Sequence, residues 1–139
     1  HLRLSVRCRP ALLCAALAWP CASALAHGDW PPRHGGLMNE GGETSFEFVQ
    51  QRGGARFHAM DHGEPLSTAG SHALLTITRA AREYRFDARP AGSNQLHAAG
   101  AQVRPGDWLV LKVTFANGSV AVGRFFSSNR WGINAQVAK

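Results

Sequence analysis

A chain of 139 residues with fifteen Lys and Arg against nine Asp and Glu is mildly basic, at a formal net charge of +6, and is long enough for one domain with a single core. The basic residues are dispersed rather than clustered, which leaves nucleic-acid binding without support. All three cysteines, Cys8, Cys14 and Cys21, lie near the start, so disulfides and thiolate ligands are excluded from the rest of the chain.

The first 26 residues read as a secretory signal peptide. Arg3, Arg7 and Arg9 precede an apolar run from Ala11 to Ala18, and small residues follow up to Ser23-Ala24-Leu25-Ala26; these are the charged, apolar and cleavage regions of an export leader. Pro20 breaks the apolar run well short of the roughly 20 residues a membrane span needs, so no span is expected in the mature chain. Leu13 precedes Cys14 and Pro20 precedes Cys21, neither being the small residue a lipoprotein signal would place there. Free export is therefore expected, with cleavage after Ala26 and a mature terminus at His27.

Residues 27–43 form a segment rich in His, Gly and Pro. From Thr44 the pattern changes to short alternating runs separated by Gly, Pro and Asn, the mark of antiparallel strands. A first strand around Phe46 to Val49 turns at Arg52-Gly53-Gly54 into Phe57 to Asp61, a predicted hairpin. Asp61-His62-Gly63-Glu64-Pro65 reads as the next turn. Ala73 to Thr78 follows, with Leu75 and Ile77 on one face, then a strand in which Tyr84, Phe86 and Ala88 alternate with Glu83, Arg85 and Asp87. A short strand is expected around Leu96 and Ala98. Trp108 to Phe115, the most apolar strand, is joined through Asn117-Gly118 to Val120 to Phe126, and Asn-Gly is a strong hairpin signal. About seven short strands predict an all-β fold, an immunoglobulin-like antiparallel β-sandwich over residues 44–126. Residues 127–139 form a tail in which Trp131 and Ile133 are candidates for a last edge strand.

Metal ligation is the chemistry that the remaining residues suggest. Six histidines and both methionines follow the leader, and His27, His34, His58, Met60 and His62 fall in two short stretches with Met38 just beyond the first. Side chains at i and i+2 share a face of a strand, so His58 and Met60, with His62 nearby, are expected to project together from an exposed edge while Phe57 and Ala59 enter the core. Imidazole suits Cu, Zn and Ni, thioether favours Cu(I), and divalent affinities peak at Cu(II). A terminal His27 would add an amine. Copper is therefore the expected ion, with other divalent metals as alternatives. The competing reading makes His58 an ordinary exposed strand residue and leaves Asp61-His62-Gly63 as a turn and nothing more. His72 and His97 have no assigned partner. Ser67, Ser71 and Ser93 lack a nucleophile-elbow context and no carboxylate pair stands at acid–base spacing, so no enzyme is expected.

Ala26-His-Gly28, His34-Gly-Gly36, Phe46-Glu-Phe-Val49, Asp61-His-Gly-Glu-Pro65 and Asn94-Gln-Leu96 together resemble a group of small exported proteins of Gram-negative bacteria. Similar segments occur as an accessory domain on periplasmic adaptor subunits of heavy-metal efflux systems. The resemblance spans roughly residues 26 to 126. It implies a periplasmic β-sandwich concerned with copper or other heavy metals, an efflux adaptor as partner, and His27, His34 and His62 as the residues of interest; it does not extend to His58 or Met60, and the tail after Phe126 departs from it. A looser likeness, in architecture and terminus alone, is to small periplasmic copper carriers that begin at a mature histidine. The expected function is thus a periplasmic protein that buffers copper or delivers it to an efflux system, using His27, His34 and His62 with Met38, His58 and Met60 as auxiliary ligands. The rival expectation is an envelope interaction module with no metal role that docks through a sheet edge.

Overall fold

The computed structural model describes residues 30–128. The leader, His27 and the edge strand expected at Trp131 and Ile133 lie outside the described residues. Nine antiparallel strands make up the fold: β1 (Leu37–Met38), β2 (Thr44–Gln51), β3 (Gly54–Asp61), β4 (Glu64–Pro65), β5 (His72–Arg79), β6 (Arg82–Pro90), β7 (Gln95–Ala99), β8 (Trp108–Thr114) and β9 (Val120–Phe126). Seven of these are the strands the alternation predicts. The other two are two-residue pairings: β1 lies along β2, and β4 folds back on β3 across the His62-Gly63 turn. No helix among the described residues is long and apolar enough to cross a membrane.

The strands follow one path, β1-β2-β3-β7-β6-β5-β8-β9, with β4 added on β3. Strand β6 is the corner. Its first part pairs with β5, from Arg82 opposite Arg79 to Ala88 opposite Ala73, and its last two residues, Arg89 and Pro90, pair with β7. It thereby joins a first sheet (β1, β2, β3, β7) to a second (β6, β5, β8, β9). The two sheets face each other as a sandwich, and the far side nearly closes where the Glu40 N–H donates to the Arg124 carbonyl at 2.8 Å.

The inner faces meet in one core. Phe46 and Phe48 from β2, Phe57 from β3 and Phe125 from β9 are fully buried, with ring centroids 5.5 Å apart for Phe48–Phe57 and 5.7 Å for Phe57–Phe125. Leu75, Ile77, Leu109, Leu111 and Val113 fill the second sheet's side. Two polar side chains fix the connections around this core. Buried Gln50 donates to the carbonyls of Gly54 and Ala101 and accepts from the Val103 N–H at 2.8 Å. Asp107, also buried, takes both arms of the Arg79 guanidinium at 2.9 and 2.8 Å and the Arg104 N–H at 2.8 Å, which holds the turn before β8.

Candidate metal-binding face

Antiparallel sheets commonly leave one face to water, yet six consecutive residues of β2, Ser45 to Gln50, are buried. The cause is the segment Trp30 to Gly36, which crosses the outer face of the first sheet as a strap. Register then decides what lies beneath it. Counting outward from the turn at Arg52-Gly53, Glu47 falls opposite His58 and Ser45 opposite Met60, and Met38 of β1 sits on the other side of Glu47. Because Phe46, Phe48, Phe57 and Ala59 point into the core, the row Met38, Glu47, His58 and the neighbouring Met60 all belong to the outer face.

Glu47 anchors the strap. Its Oε1 accepts from the Arg33 N–H and from His34 Nδ1, both at 2.9 Å, and its Oε2 accepts from the N–H groups of His34 at 2.8 Å and Gly36 at 2.9 Å. Burial pushes this carboxyl up, but the His34 side chain and the three backbone donors outweigh that and hold it below its ordinary value, as donors converging on a carboxylate do. A carboxylate oxygen only accepts, so His34 donates from Nδ1 and, when neutral, keeps its lone pair on Nε2. Gly36 is required by closeness: a Cβ there would lie 2.3 Å from the Phe48 carbonyl oxygen and 2.9 Å from the Glu47 side chain.

The His34 ring stacks on His58, with centroids 3.8 Å apart and planes 8° from parallel. His34 is half exposed. His58 is only 7% exposed and Met60 2%, which corrects the expectation of an exposed edge and of His58 as an ordinary surface residue. They are on one face, as their spacing predicts, but the strap covers that face. Burial, followed by repulsion from His34, lowers the His58 pKa, with Arg56 acting the same way and Glu47 opposing. The imidazole therefore stays neutral to lower pH than usual. His97 is lowered likewise, by burial and by Arg56, its cross-strand neighbour.

His62 goes elsewhere. It occupies the β3–β4 turn with φ of 47°, followed by Gly63 at 80°, which is the positive-φ pair of a tight hairpin turn. Its Nδ1 contacts Asp61 Oδ1 at 2.7 Å, and it borders a cleft of about 480 Å³ floored by Leu66 and Phe115. The strap does reach this turn, since Arg33 hydrogen-bonds the Gly63 carbonyl and the Trp30 ring lies against Gly63. The ring of His34 is meanwhile held by Glu47 and His58. His27 lies outside the described residues. Among those residues no group of three or more His, Cys, Asp and Glu is placed to hold a metal ion.

Comparison with family models, with curated proteins and with solved structures finds no match to this chain. The site must be judged on its own chemistry. Two imidazoles, one of them kept neutral, share a face with two thioethers around a buried carboxylate, a donor set that suits copper better than harder ions. The stack is not itself a coordination geometry. A metal lies in the plane of an imidazole that ligates it, about 2.0 Å from nitrogen, and one ion cannot lie in two parallel planes 3.8 Å apart. One ring must turn before both can bind. His34, half exposed and carried on the strap, is the ring free to do so.

Sequence reading named His34 but missed Glu47, the carboxylate that holds it, and Arg33 beside it. In an alternating strand between Phe46 and Phe48, a glutamate reads as solvent-facing. The signal lay in the hairpin count, which sets Glu47 opposite His58.

Proposed function

We propose that this is an exported metal-binding protein that takes up copper at the His34–His58 pair, with Met38 and Met60 as sulfur donors on the same face, and that it buffers the ion or passes it to a heavy-metal efflux partner in the periplasm. The observation that carries the reading is the stacked imidazole pair over buried Glu47, two potential nitrogen ligands brought together from positions 34 and 58. Burial of a neutral His58 favours ligation, because imidazole must be deprotonated to bind metal. Cleavage after Ala26 would give His27 a free amine beside its imidazole, two further nitrogen donors in the chain. His62, on its separate turn, is assigned a lesser part than sequence reading gives it. The resemblance to small exported proteins concerned with heavy metals points to the same role.

Calorimetric titration of the exported protein with Cu(II), and with Cu(I) against a competing chelator, tests this. Stoichiometric binding is expected, and His34→Asn should weaken it by more than the roughly 10- to 100-fold typical of losing an outer-shell partner. Asn can still donate to Glu47, so that variant keeps the strap while removing a ligand. Absence of stoichiometric binding, or affinity unchanged in both His34→Asn and His58→Gln, would refute the assignment.

A further inference from the structure

The two sheets treat their outer faces differently. The strap covers the first, whereas the second presents Leu74, Trp108, Val120, Val122 and Phe126 at exposures of 39%, 49%, 55%, 37% and 39%. Trp108 and Phe126, paired across β8 and β9, pack ring on ring at 4.7 Å between centroids. Large aromatic and aliphatic side chains grouped on one flat face, with Lys112 and Arg124 among them, are the makings of an interface and not the scattered apolar residues of an ordinary surface.

Strand β6, at the side of this face, indicates the occupant. Along the part of β6 that pairs with β5 the outward residues are Glu83, Arg85 and Asp87, all exposed, so Arg85 and Asp87 put opposite charges in adjacent rows. Reversing the strand direction sets each of these two against the other. Register supplies the rest of the grid: Glu83, Thr78, Trp108 and Phe126 form one row, Arg85, Thr76, Val110 and Arg124 the next, Asp87, Leu74, Lys112 and Val122 the third, and His72, Thr114 and Val120 the fourth.

We infer that the protein forms a symmetric dimer through the outer face of its second sheet, with the two-fold axis in the plane of the interface and perpendicular to the strands, between the second and third rows. This operation sets Arg85 against Asp87 of the second copy, a pair that occurs twice. Phe126 meets Val120 and Trp108 meets Thr114, while the aliphatic stems of Arg124 and Lys112 lie over Val122 and Val110. Isologous contact of this kind is the commonest way soluble chains associate, and face-packed sheets align to within about 30°. Arg85 now pairs with Glu83 of its own strand at 3.2 Å in an exposed bridge, which is cheaply exchanged for a partner's carboxylate. A face of four strands, about 20 Å across and about 24 Å along the strands, covers roughly 500 Å², less than the ~800 Å² per partner of standard interfaces. Association is therefore weak, with dissociation in the micromolar range or above. Nothing in this inference depends on metal.

Sedimentation equilibrium of the purified exported protein from about 5 μM to 1 mM, with chelator present, is the test, and a monomer–dimer equilibrium is expected. Trp108→Ser and Arg85→Glu should each raise the dissociation constant at least about tenfold, the second by opposing two carboxylates. The exchange Arg85→Asp with Asp87→Arg should restore dimerisation, because a self-complementary ladder survives reversal of both signs. Circular dichroism confirms that each variant is folded. A protein monomeric throughout the range, a dimer insensitive to Arg85→Glu, or failure of the double exchange to restore association would overturn the inference. So would a monomer that instead co-sediments with anionic phosphatidylglycerol vesicles.

Discussion

Replacing Glu47 by Gln changes almost no volume and removes half of the strap's anchor. Four donors meet the carboxylate, two on each oxygen: the Arg33 N–H and His34 Nδ1 on one, the His34 and Gly36 N–H groups on the other. An amide keeps one accepting oxygen and turns an NH₂ toward the other pair. The better orientation points that NH₂ at His34 Nδ1, which can shift tautomer and accept, and leaves the Arg33 N–H unpaired. The Arg33 N–H bond is part-buried, so leaving that donor without an acceptor costs toward the low end of about 1–3 kcal/mol, and bonds to a charged group are worth more than those to a neutral one. Together these set a loss of about 2–4 kcal/mol, a large part of the 5–15 kcal/mol by which domains are typically stable. Since this carboxylate gathers the strap's bonds to β2, most of the loss should appear as local opening. Amide hydrogen exchange at His34 and Gly36 should accelerate about 30- to 1,000-fold, at one decade per 1.4 kcal/mol, while core amides such as those of Leu75 and Leu111 change less. Exchange at those two amides equal to wild type, with a urea midpoint unmoved, would refute the anchoring role of Glu47.

Gly36→Ala should destabilise the protein by about 1–3 kcal/mol, because the added methyl meets a backbone carbonyl at 2.3 Å that has no room to move; chemical denaturation measures it. Gln50→Leu removes the acceptor of the Val103 N–H and the donor to the Ala101 carbonyl, and should lower stability by about 2–4 kcal/mol as read by calorimetry, whereas Gln102→Ala on the exposed side of the same network should lower it much less. Stability should also fall with acid in two stages. The folded His58 pKa lies below the ordinary value, so its contribution is complete above the unfolded value of about 6.5 and declines as pH drops from there through the folded value. Glu47 behaves in the same sense at lower pH, its contribution being lost below the ordinary carboxyl range. Urea midpoints at successive pH values should show the first stage shrink in His58→Gln, the remainder coming from His97, whose pKa is lowered in the same sense.

Local signals made most of the fold legible. The Arg52-Gly53 and Asn117-Gly118 turns and the alternation of Tyr84, Phe86 and Ala88 with charged residues each state a strand or a hairpin within ten residues of chain. What escaped was whatever depends on a second layer. Trp108 opens the most apolar strand in the chain, yet its position in the pleat sends it outward, to Phe126. β1 has two residues and no periodicity of its own; it exists because Leu37 and Met38 reach Phe48 and Glu47. The candidate site divides along the same line. That His58 and Met60 share a face follows from the period of a strand, but that this face is buried follows from a glycine-rich segment with no pattern to read. His34 and Glu47 stand thirteen positions apart in the chain and are linked by hydrogen bonds to backbone N–H groups, which every residue but proline carries and no composition reveals.

The strap and a bound metal would compete for the same side chain. If copper is to be held by both histidines, His34 must leave the stack on His58, and in turning it gives up its Nδ1 bond to Glu47. A hydrogen bond to a charged group is worth about 1.5–3 kcal/mol, so the closed strap lowers apparent affinity by roughly 10- to 100-fold relative to an open one. Glu47→Gln should then act in opposite directions on two observables, making the protein less stable and its copper binding tighter by up to about tenfold. If Glu47 instead served to orient His34 as a ligand, with the bond kept in the metal-bound form, the same substitution would weaken copper binding by roughly 10- to 100-fold. The sign of the change in affinity, measured beside the change in stability on one variant, therefore decides whether the carboxylate is a latch that metal must open or a support that metal uses.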